Sequence, residues 1–137
     1  MRLPLAVLVG GLLMLTGCLP QGGHPKLTEF SFEGGDCGAG EETVRFSVEP
    51  GAISFSGKFS APSPCHRLKA VLHHISSQRQ LVLSLVAEEL TGACTQCLSS
   101  IPYSGRVEGL SPGDWRVRVY HQDRRVFNDT LSIPAPP

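Results

Sequence analysis

Val107-Glu108-Gly109-Leu110-Ser111-Pro112-Gly113-Asp114-Trp115-Arg116-Val117-Arg118-Val119-Tyr120 is the stretch that decides the fold class. It reads as a strand, a Pro-Gly turn and a second strand. Successive side chains of a strand point to opposite faces. Trp115, Val117 and Val119 therefore face one way, and Arg116, Arg118 and Tyr120 the other. After a polar turn at Gln122–Arg124, the apolar residues Phe127, Leu131 and Ile133 continue the pattern until Pro134.

Upstream the same period of two recurs. Val44, Phe46 and Val48 alternate with Thr43, Arg45 and Ser47, and Ile53, Phe55 and Phe59 alternate with Ser54, Ser56 and Lys58. Glu49-Pro50-Gly51 between them is a hairpin turn signal, and Gly57 reads as a bulge. Leu68, Ala70 and Leu72 share a face opposite Arg67, Lys69 and His73. Leu81, Leu83 and Leu85 form a further stripe, with Val82 and Val86 on its other side. Leu81–Leu90 is the best helix candidate, but it lacks a capping box and suits a strand equally. Prolines at 50, 62, 64, 102, 112 and 134 would interrupt any long helix. Short strands spaced by turns predict an all-β protein, an antiparallel β-sandwich of about seven strands. The Val107–Tyr120 stretch resembles the closing strands of immunoglobulin-like and fibronectin III-like sandwiches. The resemblance covers about 30 residues and implies a fold only, since such sandwiches host unrelated functions.

At the other end of the chain, Met1-Arg2-Leu3-Pro4 carries one positive charge, and an apolar run from Leu5 to Leu15 follows. That run is too short for a transmembrane helix, which needs about 20 residues, and it fits the h-region of a secretory signal peptide. It ends in Leu15-Thr16-Gly17-Cys18, which resembles the lipobox of bacterial lipoproteins. The resemblance covers the leader alone. It implies cleavage after residue 17 and lipid on the Cys18 thiol. One acyl chain binds a membrane reversibly, whereas two or three anchor durably. The expected organisation is a signal peptide over 1–17, a flexible Pro/Gly-containing tether over 18–26, a sandwich over 27–134 and a tail over 135–137. Localisation is then the exported face of the cell envelope. Leu19 is not the Asp that retains lipoproteins at the inner membrane in diderm families, so a diderm host would carry the protein on its outer membrane.

The 137-residue chain has 12 Lys+Arg and 12 Asp+Glu, and loss of Arg2 with the leader leaves one net negative charge. Strong nucleic-acid affinity rests on neutralising many phosphates, so no nucleic-acid partner is expected. Of five cysteines, Cys18 takes lipid, and Cys37, Cys65, Cys94 and Cys97 remain. An even number in an exported domain reads as a disulfide framework.

Cys94-Thr95-Gln96-Cys97 admits three readings. Thioredoxin-like redox chemistry wants CxxC at a helix N-terminus in a βαβ unit, and the surroundings here are β-like. A metal site would add His73 and His74, or Cys37 and Cys65, to the two thiolates. However, the latter two cysteines are isolated, and adjacent histidines on a strand face opposite ways. The favoured reading is structural. Residues three apart in a strand face opposite sides, which suits two separate bridges rather than a 94–97 bond. Four cysteines permit three pairings, and of these Cys65 with Cys94, at the start of a strand after Pro62-Ser63-Pro64, and Cys37 with Cys97 are expected. The latter pins the Gly34–Gly40 loop, which lacks the Lys-Ser/Thr ending of a phosphate cradle.

Arg106, Arg116, Arg118, Arg124 and Arg125 are expected on one face of the C-terminal sheet, either solvated beside Glu partners or as a site for an anionic partner such as a lipid head group or glycan. Glu41-Glu42 and Glu88-Glu89 lie at strand edges with nothing converging on them. Gly-x-Ser-x-Gly is absent, and no catalytic residue, cofactor or metal is expected. Two roles follow. The leading one is a non-enzymatic binding or structural module, anchored through Cys18 and contacting an envelope protein or glycan. The alternative is a thiol-redox or metal-handling lipoprotein using Cys94 and Cys97.

Overall fold

Among the described residues the alternation becomes nine strands in two packed sheets, where about seven were expected, because β1 and β2 carry no clean period of two. The computed structural model describes residues 24–38 and 40–137, so the leader, Cys18, the tether up to residue 23 and Ala39 lie outside the described residues. The strands are β1 (Lys26–Phe32), β2 (Asp36–Cys37), β3 (Thr43–Glu49), β4 (Ala52–Ala61) and β5 (His66–Ile75), then β6 (Gln80–Glu89), β7 (Ser99–Glu108), β8 (Gly113–His121) and β9 (Arg124–Ile133). The first sheet has the order β1-β7-β4-β3, with β2 also pairing β7, and the second has the order β5-β6-β8-β9. All pairs are antiparallel except β6 with β8, which run parallel because the chain leaves the second sheet to form β7 before returning as β8.

The inward stripes meet between the sheets. Phe55 and Phe59 of β4, Ile101 of β7, Leu83 and Leu85 of β6 and Trp115 of β8 are all buried in one core. At about 25 cal/mol per Å² of apolar surface, each such side chain contributes roughly 1.5–3 kcal/mol on burial. Leu110 plugs the core between β7 and β8 and its N–H donates to the Gly51 carbonyl, so the Pro-Gly turn carries the chain from one sheet to the other. The Pro50-Gly51 turn closes the β3–β4 hairpin, with Gly51 at φ 80, a conformation that favours glycine.

Three local expectations change. Gly57 is not a bulge, since β4 pairs β3 and β7 without a register shift. It is glycine because a Cβ there would meet the Thr43 carbonyl and come within 2.6 Å of the Tyr103 hydroxyl. The register shifts instead lie in β1 between Thr28 and Ser31, and between Val119 and Tyr120 of β8 and their β9 partners. Leu81–Glu89 is strand throughout. The tether also gives way to the fold early, because Pro25 is buried and Lys26 opens β1.

The topology defines two ends. One gathers His24, the turns at Pro50–Gly51 and Ser76–Arg79, Leu110 and the C-terminus. The other, about 30 Å away along ten-residue strands, gathers the 33–42 loop, residues 62–65, the 90–98 loop and the Gln122–Asp123 turn.

Candidate functional site

All four described cysteines are bridged, Cys37 to Cys97 and Cys65 to Cys94, with Cα atoms 5.6 and 6.0 Å apart. These are the pairs drawn from the sequence, although Cys94–Cys97 lies in an irregular loop rather than in a strand. Neither sulfur of the CxxC bonds the other, because each is turned toward a different neighbouring segment. The bridges are nested. Closing 65–94 over 29 residues stabilises by about 3.6 kcal/mol on the chain-entropy model. With that bridge made, the outer loop shrinks to roughly thirty residues, and the second bridge contributes about as much again. Both sit at the end remote from His24.

The five arginines do not form one face. Arg116, Arg118 and Arg125 project from the outer side of the second sheet, with Arg118 opposite Val82 and Asn128, and Arg125 opposite Tyr120. Arg106 lies on the outer side of the first sheet, bonded to Glu49 and Glu108. Arg124 pairs with His121 across the β8–β9 turn and bonds Glu42. The second sheet's outer side gains Arg67 and Lys69, which sequence reading had placed only as the polar side of β5. Of the two histidines, His73 stands on that outer side, whereas His74 turns toward Ser76 and stacks on His24 at 6.1 Å. Among the described residues no group of three or more His, Cys, Asp or Glu side chains is set to hold a metal ion.

The interior holds a polar pair that the sequence reading passed over. The Tyr103 hydroxyl of β7 lies 2.7 Å from His121 Nε2 of β8, a hydrogen bond between the two sheets. The His121 ring is fully buried, 5.0 Å from the Phe59 ring and edge-on to Tyr103. Its Nδ1 has no hydrogen-bond partner among the described residues and lies 3.8 Å from Glu42 Oε1. The Glu42 carboxylate favours the tautomer with the ring proton on Nδ1, and in that tautomer the tyrosine hydroxyl donates to Nε2. Burial, and then the Arg124 charge, lower the His121 pKa to about 4. Burial, and then Glu42, push the Tyr103 hydroxyl well above its ordinary value. Both groups are thus neutral near pH 7, and the pair acts as a clamp between the sheets, closed at its mouth by the Glu42–Arg124 ion pair. The signal was present in the sequence: His121 continues the inward parity of Trp115, Val117 and Val119.

The outer side of the first sheet is different again. It is surfaced by Ser54, Ser56, Ser100, Ser104 and Thr43, and it carries four adjoining depressions. The central one is lined by Glu41, Thr43, Arg45, Ser56, Lys58 and Pro102, with Gly57 and Tyr103 beneath. It runs into a second beside Asp36 and Ser100, and a third beside Phe32 and Ser104. Hydroxyls, the two cations Arg45 and Lys58 and the three acids Glu33, Asp36 and Glu41 thus stand around an open groove beside Phe32 and Pro102.

Fold and surface together define a disulfide-stapled, all-β sandwich with a grooved face and a cationic face. No protein-family model matches the chain, and neither the curated proteins nor the solved structures contain a match to it.

Proposed function

We propose that the chain is an exported lipoprotein, anchored through lipid on Cys18, whose sandwich is a non-enzymatic module that binds an envelope glycan along the outer face of the first sheet. The observation that carries the reading is the run of adjoining depressions lined by Ser and Thr hydroxyls with Arg45, Lys58 and Glu41 among them. Polyhydroxylated chains are held by many shallow hydrogen bonds with an apolar surface alongside, and Pro102 and the 37% exposed Phe32 supply the latter. The leader and Leu15–Cys18 support the address, and two disulfides suit an oxidising, exported compartment.

The test is retention of the purified chain on isolated cell-wall glycan. Wild type should be retained, and Arg45→Ala with Lys58→Ala should release it. Equal retention of that variant, or capture only by an envelope protein, would overturn the glycan reading. Separately, Cys18→Ala should accumulate as an uncleaved precursor without palmitate label, and normal maturation would refute the anchor.

A further inference from the structure

We propose that the outer face of the second sheet rests on the anionic surface of a lipid bilayer, turning the grooved face outward. This rests on the anchoring reading above for its proximity to a membrane.

Five cations share the face, namely Arg67 and Lys69 on β5, Arg116 and Arg118 on β8, and Arg125 on β9. Two acids accompany them, Glu88, which bonds Arg67 at 3.3 Å, and Asp114 at the rim. No acid among the described residues bonds Lys69, Arg116, Arg118 or Arg125, and the Nε of Arg118 is enclosed without a hydrogen-bond acceptor. Between the cations the surface mixes apolar residues with the uncharged polar side chains of His73, Gln80, Ser84 and Asn128. Val71, Val82 and Val86 run beside Tyr120, and Ile75 stands 49% exposed at the edge. Cations around a shallow apolar patch with a tyrosine match an interfacial surface, where anionic head groups meet the charges and the acyl boundary receives the side chains. A solvated face would instead mix the signs, as the outer side of the first sheet does when Arg106 bonds Glu49 and Glu108.

The described residues begin at His24, which stacks on His74 of β5, an edge strand of the cationic sheet. A tether from Cys18 would therefore deliver lipid beside that sheet.

Co-sedimentation of the mature chain bearing Cys18→Ser, with vesicles of phosphatidylcholine alone or mixed with phosphatidylglycerol, tests the proposal without depending on lipidation. The chain should bind the phosphatidylglycerol vesicles only, and molar salt should release it. Each of Lys69→Gln, Arg116→Gln, Arg118→Gln and Arg125→Gln should weaken partitioning about fivefold. Arg45→Gln and Lys58→Gln, on the opposite face, should leave it unchanged. Absence of phosphatidylglycerol-dependent binding would overturn the proposal, as would equal losses from both faces. Release by millimolar inorganic phosphate at constant ionic strength would overturn it too, by showing a point anion site. Vesicle binding without palmitate on Cys18 in cells would sink the anchor reading alone.

Discussion

Protonating the buried His121 should unfold the clamp between the sheets, and its cost follows from the structure. The ring is fully buried, its pKa lies near 4, and an unfolded histidine titrates near 6.5. Because the folded pKa is the lower of the two, the neutral ring's contribution to stability is fully present above pH 6.5. It is lost as the pH falls toward 4. The linkage relation gives a loss of about 2 kcal/mol at pH 5 and about 3 kcal/mol at pH 4. That loss already contains the Arg124 charge, which acts after burial to lower the pKa. Other acids titrate over the same range, so the comparison needs His121→Phe, which keeps an aromatic ring beside Phe59 and removes the titration. Trp115, the single tryptophan and itself buried, reports unfolding by fluorescence. Urea midpoints measured from pH 7.5 to 4 should fall more steeply for wild type, the two proteins differing by about 3 kcal/mol more at pH 7.5 than at pH 4. Parallel curves would refute the assignment of a depressed pKa to this ring.

Tyr103→Phe should cost about 1–3 kcal/mol at pH 7.5, because it leaves His121 Nε2 buried without a donor; equal urea midpoints would contradict the hydrogen bond. Gly57→Ala should cost about 1–3 kcal/mol, as a methyl there meets the Thr43 carbonyl and the Tyr103 hydroxyl. A neutral result would show that β3 yields easily. Replacing Cys65 and Cys94 together by alanine should lower stability by about 3–4 kcal/mol while leaving Cys37–Cys97 intact. Peptide mapping of that variant under non-reducing conditions would show the remaining bridge, and a mixture of pairings would argue against the nested arrangement.

Much of the fold was legible because inward and outward residues differ in kind. Val44/Phe46, Leu68/Leu72 and Trp115/Val117 each contrast with Ser, Lys or Arg on the other side, and each became a strand. The stretch from Ser99 to Arg106 was not legible as strand, since its inward residues include Ser99 and Gly105 and its outward ones Pro102. Proline is tolerated there for a local reason. Its carbonyl accepts the Glu33 N–H, so the missing donor faces the gap between β1 and β2. β1 was hidden by its own irregularity, with Glu29 at φ 56 breaking the alternation.

The surface was less legible, because strand parity gives a residue's side but not its sheet. Arg106 and Arg116 lie ten positions apart and both face outward, yet the turn at Leu110–Pro112 sends them to opposite faces of the sandwich. Arg67 and Lys69 join Arg118 only because β6 bridges β5 and β8. The alternation of strand faces argued only that Cys94 and Cys97 bond elsewhere, and what realises it is a loop that presents its two sulfurs to different segments.

Intact mass of the protein extracted with detergent from its own cell envelope tests the central claim most directly. The account predicts a chain beginning at Cys18, heavier than the bare polypeptide by its acyl groups, and lacking the hydrogens of four thiols. A mass that retains residues 1–17 without lipid, or that shows free thiols at Cys37, Cys65, Cys94 or Cys97, would contradict it.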